Sequence, residues 1–368
     1  MKPIGLYIHI PFCKGKCPYC DFYSVTPHGS VIEDYTAEVC RRLSAETRIF
    51  DTVYFGGGTP SLLGAENICR ILGSVNAADG CEMTLECNPS DTGGRGSNFD
   101  FRAVADAGID RISMGLQSSS DSERRFLGRR AGADDAERAV ERANAAGIDN
   151  ISLDLMLGLE GQSTGSVGRS IEFCRRLGAK HLSAYLLKLE QGTPLYTRRN
   201  ELHLPDEDET AELYLFTVSE AAKNGFLQYE ISNFSLPGYE SRHNLKYWRC
   251  EEYLGVGAAA HSFVGGKRFY NERSIADFLE GKPPVNDGDG GDEEEFVMLA
   301  LRLTEGLSGE RFAERYGHML PREFDKKAAF FASKGLMTVC GERYSLTPQG
   351  FLLSNSIIFE LIDTLEAE

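Results

Sequence analysis

Six times in the first 225 residues a strand-like run is followed by a helix-like one, and few folds accommodate that rhythm. The apolar runs are Ile4–Ile10, Thr52–Phe55, Met83–Cys87, Asp110–Met114, Ile151–Leu155 and His181–Leu186. Helical periodicity follows near Ile32–Ile49, Ala65–Val75, Phe101–Ala107, Ala133–Ala146, Ser166–Leu177 and Glu207–Asn224. Four of these helices run into a glycine just before the next strand, at Gly108, Gly147, Gly178 and Gly225. Glycine enters the left-handed conformation that ends a helix at little cost, so the pattern marks helix ends. Strands alternating with helices pair in parallel through right-handed crossovers. Six units are too few to close an eight-stranded barrel. The expected fold class is therefore α/β, a partial (β/α)6 TIM-type barrel with its chemistry at the carboxyl ends of the strands.

Downstream the rhythm changes. Ser90–Asn98 is rich in Gly and Ser and reads as a loop, and Pro283–Glu295 reads as a linker by composition. Helical patterns at Glu294–Leu303, Ser308–Tyr316 and Glu323–Lys334 then precede two short strands, Met337–Cys340 and Arg343–Leu346. That order suggests a smaller winged-helix-like C-terminal domain. Winged helices often bind DNA, but a net charge of −16 argues against nucleic acid and anionic lipid as general partners. No apolar run is long enough to span a bilayer and no leader pattern precedes Ile4, so a cytoplasmic location is expected; peripheral membrane association is not readable from the sequence. Ten cysteines in 368 residues do not make a disulfide framework, and Cys40, Cys69, Cys174 and Cys340 read as structural.

Three other cysteines carry chemistry. Cys13, Cys17 and Cys20 stand in a CxxxCxxC run directly after the first strand. Three thiolates on one loop can hold three corners of a cubane iron–sulfur cluster and leave one iron open to a chelating small molecule. Zinc prefers four ligands, and no second CxxC pair follows. Burial as plain apolar residues fits poorly beside Lys14 and Lys16, which favour ionised sulfur. At the other strand ends stand Gly56-Gly57-Gly58-Thr59-Pro60, Glu86, Gln117 and Asp154. The glycines are expected to bring backbone N–H groups close to a ligand. The carboxylates are costly to bury there unless paired or used.

The run from Leu6 to Cys20, the GGGTPS stretch at Gly56–Ser61, the strand ends and Leu346-Thr-Pro-Gln-Gly-Phe351 together resemble the coproporphyrinogen-oxidase-like branch of the radical S-adenosylmethionine (SAM) superfamily, over nearly the whole chain. The resemblance implies a radical SAM barrel at 1–225, a connecting α/β region at 226–285 and an oxidase-type C-terminal domain at 286–368. It implies a 4Fe-4S cluster on Cys13, Cys17 and Cys20, and SAM on that cluster held by Tyr7, Tyr19, Gly57 and Glu86. Gly58, Thr59, Gln117, Arg129 and Asp154 match positions that hold a second SAM in the oxygen-independent oxidase; the positions near Lys188 and His261 differ from it.

Two departures point within the branch. The oxidase loop continues to a further cysteine where this chain has Phe22, and the oxidase carries an N-terminal extension that this chain lacks. Both are similar to the branch's heme-chaperone members, as is His243-Asn-Leu-Lys-Tyr247-Trp248, which matches their HNxxYW heme motif. Neutral imidazole is a common heme ligand. The resemblance thus implies heme on His243, with His261 as the competing ligand, Phe234, Tyr247 and Trp248 as an apolar face, and Arg242 for a propionate. On the residues alone, His243 reads first as a hydrogen-bonded core histidine. The function implied is a chaperone passing heme to an acceptor protein. Alternatives are a radical SAM tetrapyrrole enzyme (coproporphyrinogen III oxidase or a related methyltransferase) and a binding module with a structural zinc.

Overall fold

The computed structural model describes residues 2–365. Six parallel strands follow one another in sequence order: β1 (Ile4–Ile10), β2 (Phe50–Gly57), β3 (Ala77–Cys87), β4 (Arg111–Gln117), β5 (Asn150–Leu157) and β6 (His181–Leu186). Their central residues alternate between two faces. Leu6, Ile8, Ile10, Val53, Phe55, Leu85, Ile112, Met114, Ile151, Leu153, Leu155 and Leu182 are buried in the core that joins sheet and helices. The residues between them, including Tyr54, Glu86, Arg111, Ser113, Asp154 and Ser183, line a central cavity. An apolar outer face buries itself against helices, and a polar inner face keeps the barrel interior open to a ligand.

Three of the barrel helices begin at side-chain caps. Asp100 accepts from the Ala103 N–H, Ser163 from Ser166 and Asp206 from Glu209, each satisfying a donor the helix leaves open. The first helix, Val31–Ser44, ends five residues before its apolar periodicity does. Glu46 accepts from the backbone N–H groups of Thr47 and Arg48 at 2.9 and 3.0 Å, a local alternative to helical bonding, and the chain turns into β2. Pro89–Thr92, which overlaps the start of the expected loop at Ser90–Asn98, is a helical turn capped by Asn88.

The sheet also grows at both edges. At the β6 side, β7 (Leu227–Gln228) and β8 (Asn233–Ser235) add antiparallel strands. At the β1 side, β9 (Tyr253–Val256) joins in parallel, followed by β10 (His261–Val264), β11 (Lys267–Tyr270) and β12 (Val285–Asp289). The last strand corrects the reading of Pro283–Glu295 as a linker. Backbone pairing with β11 needs no apolar side chains, and an edge strand facing water carries polar ones.

The C-terminal part has its own core. Helices Glu293–Ala300, Gly309–Tyr316, Arg322–Ser333 and Ser354–Ile362 surround a three-stranded antiparallel sheet of β13 (Leu307–Ser308), β14 (Met337–Cys340) and β15 (Arg343–Leu346). Phe296, Phe312, Phe324, Phe331 and Phe351 fill it, and Tyr214, Cys250 and Phe263 from the barrel side join it. Cys340 is exposed, whereas Cys174 is fully buried. No helix among the described residues is long and apolar enough to cross a membrane.

One contact ties the cysteine loop to the barrel. The N–H groups of Gly58 and Thr59, after β2, donate to the carbonyls of Ile10 (2.8 Å) and Phe12 (2.7 Å), after β1. A Cβ on Gly58 would lie 2.6 Å from the Phe12 carbonyl oxygen and 2.8 Å from that of Ile10. Both obstacles are backbone and cannot turn aside. Gly58→Ala is expected to cost about 1–3 kcal/mol, as overpacking does. Urea denaturation of the variant checks this, and an unchanged midpoint would show that the two strand ends can part freely.

Candidate functional site

The carboxyl ends of β1 to β6 surround one cavity of about 600 Å³, within the range of small-molecule sites. Its rim carries Cys13, Cys17 and Cys20. Its walls carry Tyr19, Gly57, Gly58, Thr59, Glu86, Gln117, Arg129 and Asp154. Tyr7 is the one expected SAM residue outside the lining. Its ring stacks behind Tyr54 at 6.3 Å, and its hydroxyl is hydrogen-bonded to His9 Nδ1 at 3.0 Å.

Two of the three thiols have polar company suited to ionised sulfur. The Thr59 hydroxyl lies 3.4 Å from Cys13 Sγ, and Arg129 Nη1 donates to Cys17 Sγ at 3.9 Å. A second Arg129 nitrogen donates to the Gly115 carbonyl, which anchors the guanidinium to the end of β4. That strand ends irregularly: its register shifts between Gly115 and Gln117, and Gln117 holds φ +68°, a conformation uncommon outside glycine. Burial raises the Cys20 thiol. A donor set of three cysteines on one loop, beside a cation and a hydroxyl, fits a cluster with one open iron.

The glycine run acts differently from expectation. Its N–H groups are not held free for a ligand: Gly57 donates to Glu86 Oε2 at 3.2 Å, and Gly58 and Thr59 donate to the strand-one carbonyls. Gly57 sits at φ +108°, where a Cβ would strike the His9 ring at 2.5 Å. The glycines permit close backbone packing, and that packing aims Glu86 into the cavity.

Glu86 accepts a second bond from the Tyr54 hydroxyl at 2.8 Å. Enclosure pushes its carboxyl up to about 7, opposed mainly by that bond. Asp154, 3.4 Å from the Ser113 hydroxyl, is pushed up to about 6 for the same first reason. Sequence reasoning missed Tyr54, Arg111, Ser113, Ser183, Tyr185 and Asn244, all of which line the cavity. A signal for five of them exists: each is the polar or aromatic partner in a strand whose alternate positions are apolar.

The motif helix, Arg242–Trp248, closes the amino end of the barrel. The N–H groups of Arg242 and His243 donate to the Glu82 carboxylate at 3.2 and 3.1 Å. His243 is 1% exposed, and both ring nitrogens are hydrogen-bonded at 2.8 Å, Nδ1 to Thr52 and Nε2 to Tyr247. Its ring stacks on Tyr54 at 5.2 Å, and burial lowers its pKa to about 3. In this arrangement neither nitrogen is free for iron. Arg242, expected at a propionate, donates to the Gly80 carbonyl at 2.7 Å, and Phe234 is enclosed in the core. His261 is exposed on β10, stacked on Tyr270 at 5.2 Å.

A stability profile checks the electrostatics. Glu86 takes up its proton more readily folded (about 7) than unfolded (about 4.3). Its contribution is therefore full below pH 4.3 and lost as pH rises through 7. Glu86→Gln is expected to flatten the decline of unfolding free energy across that window, by at most about 1.4 kcal/mol per pH unit. Equal slopes in urea titrations from pH 4 to 8 would show that Glu86 is not held in this way.

Comparison with known proteins agrees with this geometry. The Radical SAM superfamily profile matches residues 7–174, and the HemN C-terminal domain profile matches residues 293–353. The heme chaperone HemW of Bacillus subtilis is 36% identical over 95% of this chain and 97% of its own length. HemW of Escherichia coli is 34% identical over 97% of this chain and 98% of its own. Among solved structures, the E. coli coproporphyrinogen III oxidase HemN superposes with a TM-score of 0.81 at 19% identity, covering 98% of this chain and 90% of that one, a likeness of fold. Full-length identity at this level, on a barrel that brings three loop cysteines to its rim, shows that the chain belongs to the HemW family of the radical SAM superfamily.

Proposed function

We propose that this protein is a heme chaperone that carries a 4Fe-4S cluster on Cys13, Cys17 and Cys20, binds SAM in the cavity beneath, and passes heme to an acceptor protein. The supporting observation is a single cavity whose rim bears all three cysteines and whose wall bears every expected SAM residue but Tyr7, in a chain similar to HemW over nearly its full length. Such a cluster supplies one-electron chemistry when bound. Around it, Arg129 and Thr59 stabilise sulfur charge, Glu86 and Asp154 offer acceptors to an ammonium or to ribose hydroxyls, and Tyr54 and Gly57 hold Glu86 in place. Phe22, 65% exposed on the same loop, stands where the oxidase has a further cysteine. An open apolar ring there suits contact with a flat partner better than ligation of a metal.

His243 is proposed as the heme ligand only with the motif helix displaced, since Thr52 and Tyr247 occupy both its nitrogens. Leaving the floor also breaks the ion pairs of Lys246 with Asp51 (2.9 Å) and Glu251 (3.3 Å). The complete set of cavity carboxylates favours a second reading, a radical SAM enzyme acting on a tetrapyrrole.

One anaerobic preparation separates these. Wild-type protein is expected to bind iron, sulfide and heme and to form no protoporphyrinogen IX from coproporphyrinogen III; product formation would establish the second reading. Cys17→Ser is expected to abolish the iron–sulfur absorbance, and retention of a normal cluster would overturn its assignment. His243→Ala is expected to weaken heme binding or shift the Soret band while the cluster persists. It should also cost about 1–3 kcal/mol of stability, because Thr52 and Tyr247 lose a buried partner. The same loss of stability with an unchanged Soret titration would leave the histidine a floor residue, and the parallel His261→Ala titration reads the alternative ligand.

A further inference from the structure

Arg111 opens β4 and points into the cavity from its floor. It is 2% exposed and among the largest fully buried side chains. Its Nε has no hydrogen-bond partner, and the Glu86 and Asp154 carboxylates attract it through space without a direct ion pair among the described residues. The groups around it are already engaged. Glu86 accepts from Tyr54 and Gly57, Asp154 from Ser113, and His181 is bonded to Ser152 and Tyr229 at 2.8 Å each. A guanidinium buried without a hydrogen-bonded carboxylate leaves part of its desolvation cost uncompensated. The planar fork matches a carboxylate in bidentate fashion. The floor beside it presents hydroxyls and an amide, from Ser113, Ser183 and Asn244.

We propose that Arg111 is the anchor for a carboxylate carried by a ligand of the barrel cavity. The inference rests on the function proposed above for the identity of that ligand. A carboxylate comes from two sources there: a heme propionate, or the amino-acid end of a SAM-type molecule. Both reach the same guanidinium, and chemical analogues separate them.

The experiment uses the full-length, cluster-reconstituted protein and the variants Arg111→Met and Arg111→Lys. Each is titrated with heme, heme dimethyl ester, SAM and decarboxylated SAM, and melted with and without each ligand. Arg111→Met should weaken binding of the carboxylate-bearing member of one pair by about tenfold or more. It should leave the carboxylate-free member unchanged, and Arg111→Lys should lose less. The affected pair names the source. Ligand-free Arg111→Met should fold and melt close to wild type, since no direct ion pair is lost with it. A variant that binds heme and SAM as wild type does, or that melts far below it or fails to fold, overturns the proposal and makes Arg111 structural. Wild-type protein that binds no heme defeats the chaperone reading alone, because the SAM pair still decides Arg111.

Discussion

Two backbone hydrogen bonds, from Gly58 and Thr59 to the carbonyls of Ile10 and Phe12, set the site's geometry. They join the ends of β1 and β2 where one strand delivers the cysteine loop and the other the glycine turn. Side chains could not hold these segments so close, because the approach leaves no room for a Cβ on Gly58. From this junction the cysteines stand over the cavity, Gly57 turns its N–H toward Glu86, and Thr59 brings its hydroxyl to Cys13.

The interior of the barrel follows from the two-residue period of a strand. Apolar positions face the helices and supply the stabilising burial, so inward positions are released from packing duty. They carry instead two carboxylates, a guanidinium, hydroxyls and phenols. Burial raises the Glu86 and Asp154 carboxyls, and a bound cation would draw both toward the charged form. The cost of such an interior is offset by the two hydrophobic cores outside it, one around the barrel and one in the C-terminal part.

The motif helix joins this interior to the rest of the chain. Its first N–H groups rest on Glu82, its histidine on Thr52, and its lysine between Asp51 and Glu251. The His243 ring stacks on Tyr54, which in turn donates to Glu86. The contacts that lead from this helix to a cavity carboxylate thus run through one aromatic side chain.

Much of this was legible in the chain itself. The alternation of strands and helices, the glycines behind the helices and the CxxxCxxC loop are local patterns, and local backbone preference sets them directly. Six barrel strands, the final hairpin and the cavity positions of the cysteines, Glu86, Gln117, Arg129 and Asp154 follow that reading, the positions through family resemblance. What only the tertiary structure decided depends on contacts between distant segments. Residues 285–289 look like a linker because an edge strand needs backbone partners and not apolar side chains. The glycine run looks like a ligand cradle until β1 is placed against it. His243 reads on the residues alone as a hydrogen-bonded core histidine, but only the fold names Thr52 and Tyr247 as its partners, and only the closed barrel shows that the Arg111 Nε lacks a hydrogen-bond partner. Each of these is a question of which atoms share a hydrogen bond across the fold, and periodicity along the chain does not contain that information.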